Sequence, residues 1–376
     1  MLAHARTGRV HRIRSMSSIG IPREIKSGEA RVGLTPCEVQ TLVTEGHRVL
    51  VQSSAGALAG YDDEAYRSAG AGLVASAGDV YQCDVVAKVK EIQPTEFALL
   101  QRGQVLCGFA QVARDVALLD ALLAAGVTVV AYEAIVDGAG RTPVLAPMSD
   151  IAGRMSASIA QWCMHAAQGG RGMLLDSSCR VLIIGAGVSG RAAAEAFYRA
   201  GCTVTLIVRD GGRAQQLQRR LPDGVACASM DSMLAMLSQT DVLVGCVSVR
   251  GMLSPKFITR NMLASMPRGA VFIDVGIDMG GIAETSRQTS WSVPAYVEEG
   301  VVHFCVPNIP AQVPRSATAA LASAALPYVR SIAGSGLLQA ARTDAGLTAG
   351  IQVHDGRVTS ATVAADTGRK AYQLFE

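Results

Sequence analysis

The chain has 376 residues, 49% of them hydrophobic and 17% charged, with a net charge of +3. That length exceeds one ordinary core and points to two domains of roughly 150 to 200 residues. Scattered Lys and Arg with only 5% aromatic residues argue against nucleic-acid binding, and no apolar run reaches membrane-spanning length.

The first 15 residues, "MLAHARTGRVHRIRS", are basic and lack the apolar stretch of a signal peptide. Residues 1–17 read as a disordered leader, with a natural start at Met16 in "MSSIGIPRE". Apolar runs of four to seven residues then alternate with helical segments, the pattern of parallel sheets covered on both faces. Strands are predicted near 18–21, 48–52, 84–89, 104–109 and 127–132. Between the first two, a helix opens with Thr35 as N-cap, Pro36 at its first position and Glu38 completing a capping box, and Gly46 ends it. The alanine-rich "MSDIAGRMSASIAQWCMHAAQ" has helical spacing and closes at Gly169-Gly170, giving a connecting helix over 147–170. A second unit over 171–314 has strands near 180–184, 203–208, 241–247, 270–275 and 301–306. After Pro314, the helix "SATAALASAALPYVRSIA" returns to the first domain, which is therefore discontinuous, formed by 18–146 and 315–376. The tail from Gly334 reads as a smaller appendage. The predicted class is α/β, two Rossmann-like doubly wound domains with parallel sheets flanking a cleft. Nine cysteines without a C-x-x-C pair or a Cys/His cluster at metal spacing indicate reduced thiols, a cytoplasmic setting and no metal.

The stretch "RVLIIGAGVSGRAAAEAFYRAGCTVTLIVRD" is strand, turn, helix and strand. Gly185 allows the tight turn, Gly187 admits a pyrophosphate, and Gly190 lets the helix approach the strand. Backbone N–H groups at Val188 and Ser189 open the helix toward the phosphates. After the second strand, an acid would accept from the ribose hydroxyls of NAD and repel a 2'-phosphate. Here Val208 and Arg209 stand at that place with Arg213 close behind, so NADP is preferred and NAD is possible, through Asp210. Val247, ending the strand near 241–247, joins the cofactor set.

Other polar residues follow strand ends, where open α/β sheets bind ligands. Arg31, Lys90, Gln111 and Glu133 do so in the first half, and Asp278 and Asn308 in the second. Singly, each reads equally as a solvated loop start. Together, two cations, a carboxylate and an amide suit a small carboxylic acid held against a nicotinamide.

These stretches also carry a resemblance. "GIPREIKSGEARVGLTP", "KVKE", "LAPMSDIAGRM", "GGRG", "VFIDVGIDMGG" and "CVPNIPAQVP" resemble alanine dehydrogenase, in the superfamily shared with the nucleotide-binding alpha subunit of proton-translocating transhydrogenase, from about Ile19 to near Leu374. The resemblance implies two α/β domains and a homo-oligomer, hexamer or dimer. It assigns Arg31 and Lys90 to the substrate carboxylate and oxo group, Asp278 and Asn308 to the nicotinamide end, and Ser149 to the cofactor. "IDMGG" and "CVPNIP" follow alanine dehydrogenase rather than transhydrogenase.

Three departures stand out. Gln111 replaces the histidine that serves the family as general acid/base, and an amide does not titrate near neutral pH. Val208 replaces the family's ribose-binding aspartate. "VRG" replaces "VPG", putting Arg250 where it would engage a second acidic group on a larger substrate. The reading is an NAD(P)-dependent amino-acid dehydrogenase or imine reductase acting on an amino acid, 2-oxo acid or imine other than simple alanine, with Lys90, Asp278 and Gln111 at the reacting centre. The alternatives are a catalytically inactive nucleotide-binding homologue and a transhydrogenase-like protein. His165, inside the connecting helix, and His303, in a strand, read as packed side chains rather than replacement bases.

Overall fold

The computed structural model describes residues 16–219, 221–247 and 254–375. The leader before Met16 and Arg250 lie outside the described residues. The chain forms two compact α/β units, one running to Val144 and resumed over Thr318–Glu376, the other Leu145–Ala317.

In the first unit, β1 (Ser18–Ile21), β2 (Arg48–Gln52), β3 (Gly72–Val74), β4 (Val85–Ala87), β5 (Val105–Gly108) and β6 (Thr128–Ala131) are parallel. The second unit holds β7 (Arg180–Ile184), β8 (Thr203–Val208), β9 (Val225–Ser229), β10 (Val242–Gly245), β11 (Val271–Asp274), β12 (Ala295–Glu298) and β13 (Val301–Phe304). The chain then returns to the first unit with β14 (Ile351–His354) and β15 (Arg357–Val358). Across the first sheet the order is β15-β14-β6-β5-β4-β1-β2-β3, and across the second β12-β13-β11-β10-β7-β8-β9. Each sheet therefore reverses direction once, between β1 and β4 and between β7 and β10. Ligands of doubly wound sheets bind at such switch points, outside the carboxyl ends of the strands.

The capping box at Thr35 forms as expected, opening the helix Pro36–Thr44. Three features differ from the sequence reading. The sheets are mixed rather than wholly parallel, because β12, β14 and β15 pair antiparallel at the edges. The tail after Gly334 is not an appendage, since β14 and β15 extend the first sheet. The alanine-rich helix over Ala146–Met164 belongs to the second unit, where Ala152, Ile159, Ala160 and Cys163 join its core. That helix stops at His165, whose extended backbone leads into a short 3-10 turn, Ala166–Gln168. His165 is consequently exposed rather than packed.

The first unit also buries charge just past β4. Lys88 and Glu96 are 2% and 3% exposed. The Lys88 ammonium donates to both Glu96 oxygens, at 2.6 and 2.8 Å, and the Tyr81 hydroxyl donates to Glu96 at 2.8 Å. The backbone N–H of Gln93 donates to the same carboxylate at 2.8 Å. Such a pair adds no net stability over well-packed apolar residues of the same volume, but removing one partner leaves the other charge under-compensated. Glu96→Ala is expected to destabilise the protein by about 3–5 kcal/mol. Urea unfolding followed by circular dichroism checks this, and a loss under about 1 kcal/mol would show that Glu24, 3.8 Å from the Lys88 ammonium, compensates it alone.

Candidate active site

In the first unit the residues singled out by sequence gather past the carboxyl ends of the adjacent strands β1, β4, β5 and β6. Arg31, in the loop after β1, is 2% exposed. Glu29 takes one edge of its guanidinium, accepting from Nε at 2.7 Å and from Nη2 at 2.6 Å. This two-point grip fixes the plane of the guanidinium. Lys90, past β4, is buried, and its backbone N–H points to Glu24 Oε1 at 3.4 Å.

Gln111 follows β5 with φ at +44°, a left-handed conformation unusual for a residue with a side chain. Glu133, past β6, holds it there. The Gln111 N–H donates to Oε1 at 2.7 Å and the Ala110 N–H to Oε2 at 3.3 Å. Burial pushes the Glu133 carboxyl above its ordinary range, against the lowering effect of these donors and of the Lys90 charge. Backbone strain held by a half-buried carboxylate is typical of ligand sites.

In the second unit, the turn after β7 has Gly185 at φ +98°, and a Cβ at Gly190 would collide with the carbonyl oxygen of Gly185. The following helix, Val188–Arg199, opens at Gly187 with no side-chain cap. Its first N–H groups are thus not claimed by a side chain, as a pyrophosphate site needs. Val247 lies across the switch point, its Cγ2 3.1 Å from where a Gly185 Cβ would stand. Ser149 lies in the first turn of the helix Ala146–Met164 and is half-buried.

Val208, the last residue of β8, is buried, while Arg209 and Arg213 beyond it are exposed. Asp210 is occupied as N-cap of the helix Gly211–Gln218, accepting from the Arg213 N–H at 2.9 Å. The residues present therefore fit a dinucleotide.

Asp278 lies on a 3-10 turn, Ile277–Met279, and its Oδ2 accepts from the backbone N–H of Asn308 at 3.3 Å. Asn308 also has a left-handed backbone, at φ +55°. The structure so brings Asp278 and Asn308 together. His303 is fully buried between Thr285 and the Val301 carbonyl, at 2.8 and 2.9 Å, and burial lowers its pKa. Burial likewise pushes the thiols of Cys107, Cys163 and Cys305 up to about 12, leaving them as core residues.

Sequence reasoning missed four supporting charges, Glu24, Glu29, Lys88 and Asp274. Asp274 ends β11, fully buried, and its Oδ2 accepts from the Ile282 N–H at 2.8 Å and the Ser286 hydroxyl at 2.6 Å, bracketing the Asp278 turn. A signal was present, because Lys88 and Asp274 interrupt the apolar runs "DVVAKVK" and "VFIDV".

Comparison with known proteins identifies the family and the fold. The N-terminal domain of alanine dehydrogenase/PNT matches residues 20–152, and the C-terminal domain of alanine dehydrogenase/PNT matches 156–361. An alanine dehydrogenase from Halomonas elongata is 40% identical over 354 residues, covering 92% of this chain and 95% of that protein. A solved L-alanine dehydrogenase superposes with a TM-score of 0.89 at 36% identity, over 93% of this chain and 99% of its own. A transhydrogenase from Sinorhizobium meliloti, at 22% identity and a TM-score of 0.78, shares the fold over 91% of this chain and 99% of its own. Among the described residues no helix is long and apolar enough to cross a membrane. This chain belongs to the alanine dehydrogenase/PNT family and is an oxidoreductase of the alanine dehydrogenase type.

Proposed function

We propose that the protein is an NADP-linked member of this family that reduces an imine, preformed or arising from a 2-oxo acid and an amine, in preference to aminating pyruvate. The observation that carries the reading is Gln111. It occupies the place that the family resemblance gives to a titrating imidazole, and Glu133 holds it in a strained backbone.

Reductive amination needs protons moved while ammonia adds and water leaves; reduction of a formed iminium does not. General acid/base catalysis is worth about 10² to 10⁴ in rate, so its loss penalises the first reaction and spares the second. In this reading Arg31, pre-oriented by Glu29, binds the substrate carboxylate. Lys90 polarises the oxo or imine group, and Gln111 donates a hydrogen bond without exchanging a proton.

Bound NADPH supplies the hydride. The turn at Gly185, Gly187, Val188, Ser189 and Gly190 takes its pyrophosphate, and Ser149, Val247, Asp278 and Asn308 line the rest of the cofactor. Val208, Arg209 and Arg213 receive the 2'-phosphate, a choice supported by Asp210 being occupied as a helix cap. Arg250 remains assigned to a second acidic group on the substrate. The working protein is proposed to be a homo-oligomer in the cytoplasm.

NADPH oxidation at 340 nm, with 2-oxo acids plus ammonia, 2-oxo acids plus primary amines, and preformed cyclic imines, tests the activity. Turnover is expected with an imine or amine-coupled oxo acid and is expected to be weak with pyruvate plus ammonia. Tight NADPH binding without turnover on any of them would favour an inactive nucleotide-binding homologue.

For the cofactor, Val208→Asp sets a carboxylate against the 2'-phosphate. Like-charge juxtaposition of this kind is expected to shift the NADPH-to-NADH ratio of kcat/KM at least about tenfold toward NADH. An unchanged ratio would mean that the ribose is read elsewhere.

A further inference from the structure

Three buried carboxylates serve two buried cations behind the Lys90 loop. Glu29 is committed to Arg31, and Glu96 to Lys88. Glu24, after β1, only shares Lys88 with Glu96, at the longer distance of 3.8 Å. Its Oε1 accepts from the backbone N–H of Val89 at 2.6 Å and of Lys90 at 3.4 Å. Its Oε2 is buried without a hydrogen-bond partner among the described residues, 3.8 Å from the Lys88 ammonium.

We propose that Glu24 is a positioning residue for Lys90 whose gain and loss of a proton sets the charge, and so the carboxylate affinity, of the substrate pocket. The inference rests on the reading of Arg31 and Lys90 as the carboxylate and oxo-group site. One end of the carboxyl group anchors the backbone that carries Lys90, at the switch point between β1 and β4. The other end is free to bear a proton.

The ionisable groups facing Glu24 are Lys88 past β4, Glu29 in the loop after β1, and Glu96 in the helix Pro94–Leu99, with the Tyr81 hydroxyl bonded to Glu96 behind it. Burial outweighs the Lys88 charge and brings the Glu24 carboxyl up to about 7, with Glu29 and Glu96 adding to the rise. The group therefore changes charge near neutrality. An arriving substrate carboxylate adds one more negative charge to the cluster and favours protonated Glu24. By linkage, protonated Glu24 favours the carboxylate, so affinity is high below the Glu24 pKa and falls as pH rises through it.

The experiment measures the Kd of pyruvate for the NADPH-loaded protein by calorimetry between pH 5.5 and 8.5, for the natural chain and Glu24→Gln. The amide keeps an acceptor for the Val89 N–H and removes the titration. The natural protein should lose up to about tenfold in affinity across the range, as a one-unit pKa change on binding requires. Glu24→Gln should hold the low-pH affinity within about twofold throughout. A purely structural role would shift the level and leave the slope, and an unchanged slope in the variant overturns the proposal.

If Glu24→Gln does not fold, the natural protein is titrated at pH 7 in two buffers of different ionisation enthalpy. Proton uptake with pyruvate supports the proposal, and none overturns it. Turnover in the activity panel with a flat affinity profile fails Glu24 alone. Absence of pyruvate binding fails the substrate-site reading and this inference together.

Discussion

Where a parallel strand ends, its hydrogen-bond ladder stops and the next N–H groups must find acceptors or lie buried and unpaired. In this protein carboxylates take that role at one loop after another. Glu24 accepts from Val89 and Lys90 past β4, and Glu133 from Ala110 and Gln111 past β5. Asp274 accepts from Ile282, and Asp278 from Asn308 past β13. An ionised acceptor makes a stronger bond than a neutral carbonyl, so these loops are held firmly at the ends of the sheets where ligands bind. The residues assigned to substrate and nicotinamide are largely those whose backbone is held in this way.

The same choice of acceptor gives the site its electrostatics. Every buried carboxylate needs compensation, and Lys88 and Arg31 supply it inside the first unit. Glu133 and Glu24 are left under-compensated, and burial raises both carboxyls. In the proposed reading, proton uptake at such a group, rather than an uncompensated buried cation, offsets an arriving substrate carboxylate.

Much of this was legible in the sequence. The glycine turn, the Thr35 capping box and the aliphatic strands carry local signals, and ten of the strands lie where the apolar runs put them. Gly72–Val74, Val225–Ser229 and the strands β12, β14 and β15 were not legible, being short, and β14 finds its place only by pairing with β6, far back in the sequence. The candidate site residues stood out as polar positions after strand ends, and the fold puts Arg31, Lys90, Gln111 and Glu133 past the carboxyl ends of β1, β4, β5 and β6. Their supports did not, because Glu24, Glu29 and Lys88 matter through hydrogen bonds and burial that only the folded sheet creates. His165 was misread because helical composition continues past Met164 while the helix itself does not.

The central claim is that an amide at residue 111 moves the chemistry from amination toward imine reduction. Comparing Gln111→His with the natural protein, in NADPH oxidation by pyruvate plus ammonia and by a preformed cyclic imine, tests it directly. The account predicts at least a tenfold gain for pyruvate plus ammonia, within the roughly 10² to 10⁴ available to general acid/base catalysis, and less than a twofold change for the imine. Parallel changes in both reactions, or none in either, would contradict it.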